Sequence, residues 1–178
     1  MIPGTKNLLI DDKNVDVATA SWLNQSYSTK TQNNVEFEMN KLNSVSTIQS
    51  SVVSTDILNS WNFDVLLYSN EQLFQIVFDL FNVFDIFSRF SVPTSKFNLF
   101  TLEISKLYLD NSYHNFKHGC DVLHAVNRLV ISSNLSGACS SLEIYSILVA
   151  ALAHDVGHIG VNNAYLIKAK HKLSLIHI

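Results

Sequence analysis

Apolar and polar positions change rhythm along this chain. Residues 1 to about 55 are rich in Ser, Asn, Thr and Gln, and their apolar residues follow no clear period. Such a segment buries too little to offset its ordering entropy, which predicts a flexible polar leader rather than a domain. Val35-Glu36-Phe37-Glu38-Met39 alternates like a strand, but an isolated strand has nothing to pair with. A different composition begins at Asp56. Ser69-Asn70-Glu71-Gln72 has the order of a capping box, with Ser69 placed to accept backbone N–H bonds and Gln72 to reach back. Gln75, Asp79, Asn82, Asp85 and Arg89 then recur at steps of four, three, three and four, a narrow polar stripe among Phe, Ile, Val and Leu. The pattern predicts one helix to about Phe90, so apolar that other helices must enclose it.

Pro93 separates that helix from a second, Ser95 to about Leu109, where Phe97, Phe100, Ile104, Leu107 and Tyr108 repeat at threes and fours. Asp110-Asn111-Ser112 reads as a turn and helix start. A third helix is predicted from about Phe116 to Ser133, with Gly137 placed near its end. Ser140-Ser141-Leu142-Glu143 is a second capping box, opening a helix from Leu142 to about His154. Gly157 and Gly160 loosen the backbone beyond it. The fold class expected is all-α, with domain sequence over 56–178.

Composition narrows the function classes. A chain of 178 residues and 20.0 kDa can hold one domain with a real core. A hydrophobic share of 47% and a charged share of 15% describe a globular protein with a large buried fraction. A net charge of −3 argues against broad binding to nucleic acid or to anionic membranes. Cys120 and Cys139 form no CxxC pair and read as buried thiols in a reducing compartment. The first ten residues lack the basic start and apolar core of a secretory signal. The longest apolar run, 147–153, is far short of the ~20 residues that cross a bilayer. These features predict a cytoplasmic protein with no transmembrane segment.

The candidate chemistry lies in His114, His118, His154, Asp155 and His158, all within 45 residues. Two histidines four apart share a face if their segment is helical. Neutral imidazoles with a carboxylate suit Zn²⁺, and the carboxylate can bridge to a harder ion such as Mg²⁺. Each residue also has a plainer reading: a lone helical His is commonly hydrogen-bonded structure, and His-Asp at a helix end can be an ion pair or a cap. Spacing leaves a metal site and structural histidines both open.

The lettering goes further. Tyr113-His114-Asn115-Phe116-Lys117-His118-Gly119-Cys120-Asp121-Val122 resembles the YHNxxHAxDV signature of class I 3′,5′-cyclic nucleotide phosphodiesterases. His154-Asp155-Val156-Gly157-His158-Ile159-Gly160-Val161-Asn162-Asn163 is similar to their HDxxHxGxxN signature. Trp61-Asn62-Phe63-Asp64-Val65-Leu66, Phe90-Ser91-Val92-Pro93 and Asn111-Ser112-Tyr113 resemble further landmarks, so the resemblance covers about Trp61 to Leu173.

The resemblance implies the N-terminal part of the multi-helix, HD-type catalytic domain. It implies metal-dependent hydrolysis of cyclic AMP, cyclic GMP or both to the 5′-monophosphate, ending a second-messenger signal. Two divalent ions are implied, Zn with Mg or Mn. His114 then matches the general acid that protonates the leaving O3′. His118, His154 and Asp155 match metal ligands, with Asp155 shared between the ions. His158 matches a histidine behind the ligands, beside the attacking water. Asn163 matches a position near the substrate pocket wall. Tyr113 reads first as packing and second as a substrate-binding candidate, and Asp121 either orients a ligand histidine or caps a helix.

Gly119-Cys120 departs from the family's small Ala residues, and Gly157 replaces a common acidic residue. After Lys172-Leu173 the pattern fails, and 174–178 read as foreign or frameshifted sequence. The chain is therefore expected to be an incomplete piece, with a further Asp ligand and the purine-gripping residues beyond it. Two rivals stand beside this reading. Another HD-type metal phosphohydrolase would share the ligands but not the matches at 113–115 and 61–66. A non-catalytic fragment would bind a metal or partner without turnover.

Overall fold

The computed structural model describes residues 54–175. The leader and the alternation at 35–39, together with residues 176–178, lie outside the described residues. Among the described residues seven helices follow in order: α1 (Thr55–Leu58), α2 (Asn70–Asn82), α3 (Ile86–Arg89), α4 (Thr94–Leu107), α5 (Phe116–Ser132), α6 (Ser141–Ala153) and α7 (Asn163–Lys168). Single 3-10 turns occupy Val65–Leu67, Leu135–Gly137 and Lys172–Leu175. There is no strand among the described residues, and the architecture is all-α as the periodicities predict.

Both capping boxes form. Ser69 Oγ accepts from the Gln72 N–H at 3.3 Å, and Gln72 Oε1 accepts from the Ser69 N–H at 2.8 Å. Ser140 and Glu143 repeat the exchange at the start of α6, at 3.3 and 2.8 Å. Each box satisfies two of the N–H groups that a helix start leaves without an internal partner.

The single helix expected to run to about Phe90 is instead broken. α2 ends at Asn82, and Asp85 takes a left-handed conformation (φ 55°) that turns the chain into α3. Aspartate tolerates that region better than a branched apolar residue would. Aromatic packing explains the break. Phe78 and Phe87 are nine residues apart, about two and a half turns, so a straight helix would set them on opposite faces. With the chain turned, their rings stack at 4.6 Å, and Phe87 meets Phe97 of α4 edge-on at 4.8 Å. Ile86 becomes fully buried in the same movement.

α5 is the element that the core surrounds. It packs against α6 on one side and α2 on another. Phe116, Gly119, Cys120, Leu123, Asn127 and Val130 recur at threes and fours on its buried face. Leu73, Ile76, Val77, Leu80 and Phe81 of α2 and Leu148 and Leu152 of α6 close over that face. Asn127 is the polar exception. Its Nδ2 donates to the Leu80 carbonyl at 2.8 Å, satisfying a group near the end of α2 whose helical acceptor role has lapsed. At the far end of α5 the left-handed position belongs to Asn134 (φ 54°), not to Gly137, which sits within the following 3-10 turn.

Candidate metal centre

The site forms where the start of α5 meets the end of α6. Asp110-Asn111-Ser112 does not start the helix. Asn115 does: its backbone is extended (φ −124°, ψ −179°), and its Oδ1 accepts from the His118 N–H at 3.2 Å. His114 therefore precedes α5, and the expectation that His114 and His118 lie on one helical face is corrected. An extended N-cap residue interrupts the helical path between them. Their rings nonetheless come within 5.8 Å, edge to face.

His154 is the residue that ends α6, and Asp155 follows it. Asp155 Oδ2 lies 3.2 Å from His154 Nε2 and 3.4 Å from His118 Nε2. One ligand atom from each of His118, His154 and Asp155 falls within 4.8 Å of the others. The tautomer of His154 is set from behind, because Nδ1 faces the Ala151 carbonyl at 2.9 Å and must carry the proton. In its neutral form the ring would then turn an Nε2 lone pair toward the Asp155 carboxylate oxygen. Two electron-rich atoms hold that contact only with a cation or an added proton between them. The donor set and its geometry thus fit a divalent transition metal. Burial, and next the neighbouring His154, hold His118 below the usual histidine range against the opposing pull of Asp155. This favours the neutral ring that coordinates metal.

His158 stands to one side. Its Nδ1 accepts from the Gly160 N–H at 3.0 Å, so its proton is on Nε2. Its ring stacks on His114, with centroids 3.8 Å apart and planes inclined by 20°. Tyr113 is exposed, with its ring 4.5 Å from that of His118. Asn163, the first residue of α7, lines a cavity of about 330 Å³ with Gly157, His158, Ile159 and Leu166. Asp121 is exposed on α5 and acts on His118 only through its charge.

Two supports have no sign in the pattern along the chain. Tyr108 donates to the Leu152 carbonyl at 2.8 Å. It ties the end of α4 to the last turn of α6, just before the candidate ligands. Burial pushes its phenol up to about 12, so it stays a donor. Asn111 Nδ2 donates to the carbonyls of His114, at 3.0 Å, and His158, at 2.6 Å. Its local sequence announces a turn residue and a landmark of the resemblance, but not this role; its second partner is 47 positions away.

Comparison with known proteins gives these observations a family. A model described as 3′5′-cyclic nucleotide phosphodiesterase matches residues 113–177. The 3′,5′-cyclic-nucleotide phosphodiesterase regA of Dictyostelium discoideum is 31% identical over 94% of this chain and 21% of its own length. The mouse 3′,5′-cyclic-AMP phosphodiesterase 4C is 30% identical over 67% of this chain and 18% of its own. This chain thus spans about a fifth of the length of these relatives. The crystal structure of the phosphodiesterase domain of a RhoPDE fusion protein from Salpingoeca rosetta superposes with a TM-score of 0.64 at 29% identity. That match covers 70% of this chain and 38% of the other. Over the part of the catalytic domain that it spans, the chain belongs to the 3′5′-cyclic nucleotide phosphodiesterase family.

Proposed function

We propose that the protein hydrolyses a 3′,5′-cyclic nucleotide, cyclic AMP or cyclic GMP, to its 5′-monophosphate, acting in the cytoplasm in signal transduction. The observation that carries this reading is the convergence of His118, His154 and Asp155 beside the stacked His114 and His158. His118 and His154 would hold one ion, taken as Zn. Asp155 would share it with a second, taken as Mg or Mn. Such ions supply Lewis acidity and lower the pKa of an attacking water towards ~7.

The chain's own residues supply position and protons. The Nδ1 contact with the Ala151 carbonyl fixes the His154 ring, which would leave Nε2 to hold an ion. His114 in its protonated form delivers a proton to the leaving O3′, which departs poorly as a bare alkoxide. His158, with its proton on Nε2, donates towards the attacking water. Asn163 and Tyr113 bound the substrate space.

The test is hydrolysis of cyclic AMP and cyclic GMP with Mg²⁺, by this chain and by any longer form of the protein. The reading expects His114→Ala to keep its metal while turnover falls by about 10²–10⁴-fold, the range of a positioned acid. Equal metal loss in His114→Ala and His118→Ala would contradict the assignment of the acid. For the chain by itself, metal binding without turnover is the second reading, favoured by its 38% coverage of the S. rosetta domain.

A further inference from the structure

Asn111 occupies an unusual place, since one side-chain amide reaches both strands of chain that carry the stacked histidines. Nδ2 donates to the His114 carbonyl before α5 and to the His158 carbonyl after α6. Its own backbone is fixed in turn, because Asn115 Nδ2 donates to the Asn111 carbonyl at 2.9 Å. Gly160 completes the arrangement from the other side. It has φ +78°, and a Cβ there would lie 2.5 Å from Asn111 Oδ1. The backbone of Gly160 also donates to His158 Nδ1. Two loops are thereby tied at their carbonyls, and the rings they carry meet at 3.8 Å.

We infer that Asn111 is a positioning residue: its carboxamide clamps the His114 and His158 backbones and so sets the stacking of their rings. This deepens the reading of the site as a phosphodiesterase centre and rests on it for the rings' purpose. The clamp itself rests on geometry alone. His118, His154 and Asp155 make no hydrogen bond to Asn111, so the clamp governs the ring pair rather than the ligand set. Aspartate at 111 keeps the shape of the side chain but removes both N–H donors and sets an anion against two carbonyls. A side chain at 160 strains the backbone and presses on the same amide.

The experiment uses nuclear magnetic resonance on the full chain and on Asn111→Asp, Asn111→Ala and Gly160→Ala. Ring-to-ring NOEs between His114 and His158, and the nitrogen at which His158 is protonated, are read in each. Zn²⁺ affinity is measured in parallel. The inference expects the NOEs in the unaltered chain. It expects their loss in Asn111→Asp and Asn111→Ala, with His158 drifting to a mixture of tautomers, while Zn²⁺ affinity stays within about threefold. Gly160→Ala, whose Asn111 donors are intact, should weaken the same NOEs if Asn111→Ala fails to fold. NOEs that persist in either Asn111 variant overturn the clamp. So does a loss of Zn²⁺ affinity as large as that of the ring contact, which would make Asn111 a general prop. The phosphodiesterase reading fails by a different result, namely no Zn²⁺ binding by the unaltered chain.

Discussion

His154 and His158, four residues apart, hold their protons on opposite ring nitrogens. His154 gives its Nδ1 proton to the Ala151 carbonyl, whereas His158 Nδ1 accepts from the Gly160 N–H. With both rings neutral, one presents a bare Nε2 and the other an Nε2–H. At a pH where both rings are neutral, long-range ¹⁵N–¹H correlations should show His154 as the Nδ1–H form and His158 as the Nε2–H form. The same tautomer at both positions would remove the argument that His154 is preset to ligate.

Gly119 sits where the neighbouring Tyr108 ring and Leu152 carbonyl leave no room for a side chain. A Cβ at 119 would lie 2.6 Å from the Tyr108 hydroxyl oxygen and 3.0 Å from the Leu152 carbonyl. Overpacking of this kind costs about 1–3 kcal/mol. Gly119→Ala should lower stability by that order in urea unfolding. Removing the hydroxyl in a Gly119→Ala/Tyr108→Phe double variant should recover part of the loss, since residues in contact couple. Strict additivity would show that Tyr108 is not what occupies the space.

Asn127 joins α5 to α2 through a single buried hydrogen bond. Asn127→Leu leaves the Leu80 carbonyl without its partner in the core, at a cost of about 1–3 kcal/mol. Chemical denaturation measures this directly, and an unchanged midpoint would show that the carbonyl has another donor.

His124 gives the fold a pH dependence. It is 4% exposed, its Nε2 meets the Leu58 carbonyl at 3.0 Å, and Phe63 stacks on it at 4.4 Å. Burial lowers its pKa, against the Leu58 hydrogen bond and Asp121, which raise it, and with Arg128, which lowers it. The unfolded chain then binds a proton that the folded chain refuses as pH falls below the ordinary value near 6.5. Stability is full above that value and declines as pH drops through it. Between about pH 8 and pH 5, His124→Gln should lose less stability than the unaltered chain, with His118 supplying a remaining slope of the same sign. An identical slope in both would mean that His124 titrates normally.

Much of this was legible from local pattern. Ser69 and Ser140 with their partners at 72 and 143 marked two helix starts, because a cap is chemistry within four residues. The apolar run of α6 ending in His154-Asp155 placed both at a helix end. What escaped depends on partners far along the chain. Asp85 breaks the long helix for the sake of Phe87 against Phe97, and no periodicity encodes that meeting. Asn115, rather than residues 110–112, caps α5, since several Asn and Ser residues compete for one cap there. Asn111 and Tyr108 act across 47 and 44 positions, where spacing carries no information.

The central claim is that three side chains from α5 and the end of α6 grip a divalent ion. Its most direct measure is Zn²⁺ binding by the unaltered chain beside His118→Ala, His154→Ala, Asp155→Ala and His114→Ala, by calorimetry and by metal content. The account predicts binding that each of the first three substitutions reduces by more than the ~10–100-fold typical of losing an outer support, while His114→Ala retains it. Absence of binding by the unaltered chain, or affinity in the first three variants equal to that of the unaltered chain, would contradict it.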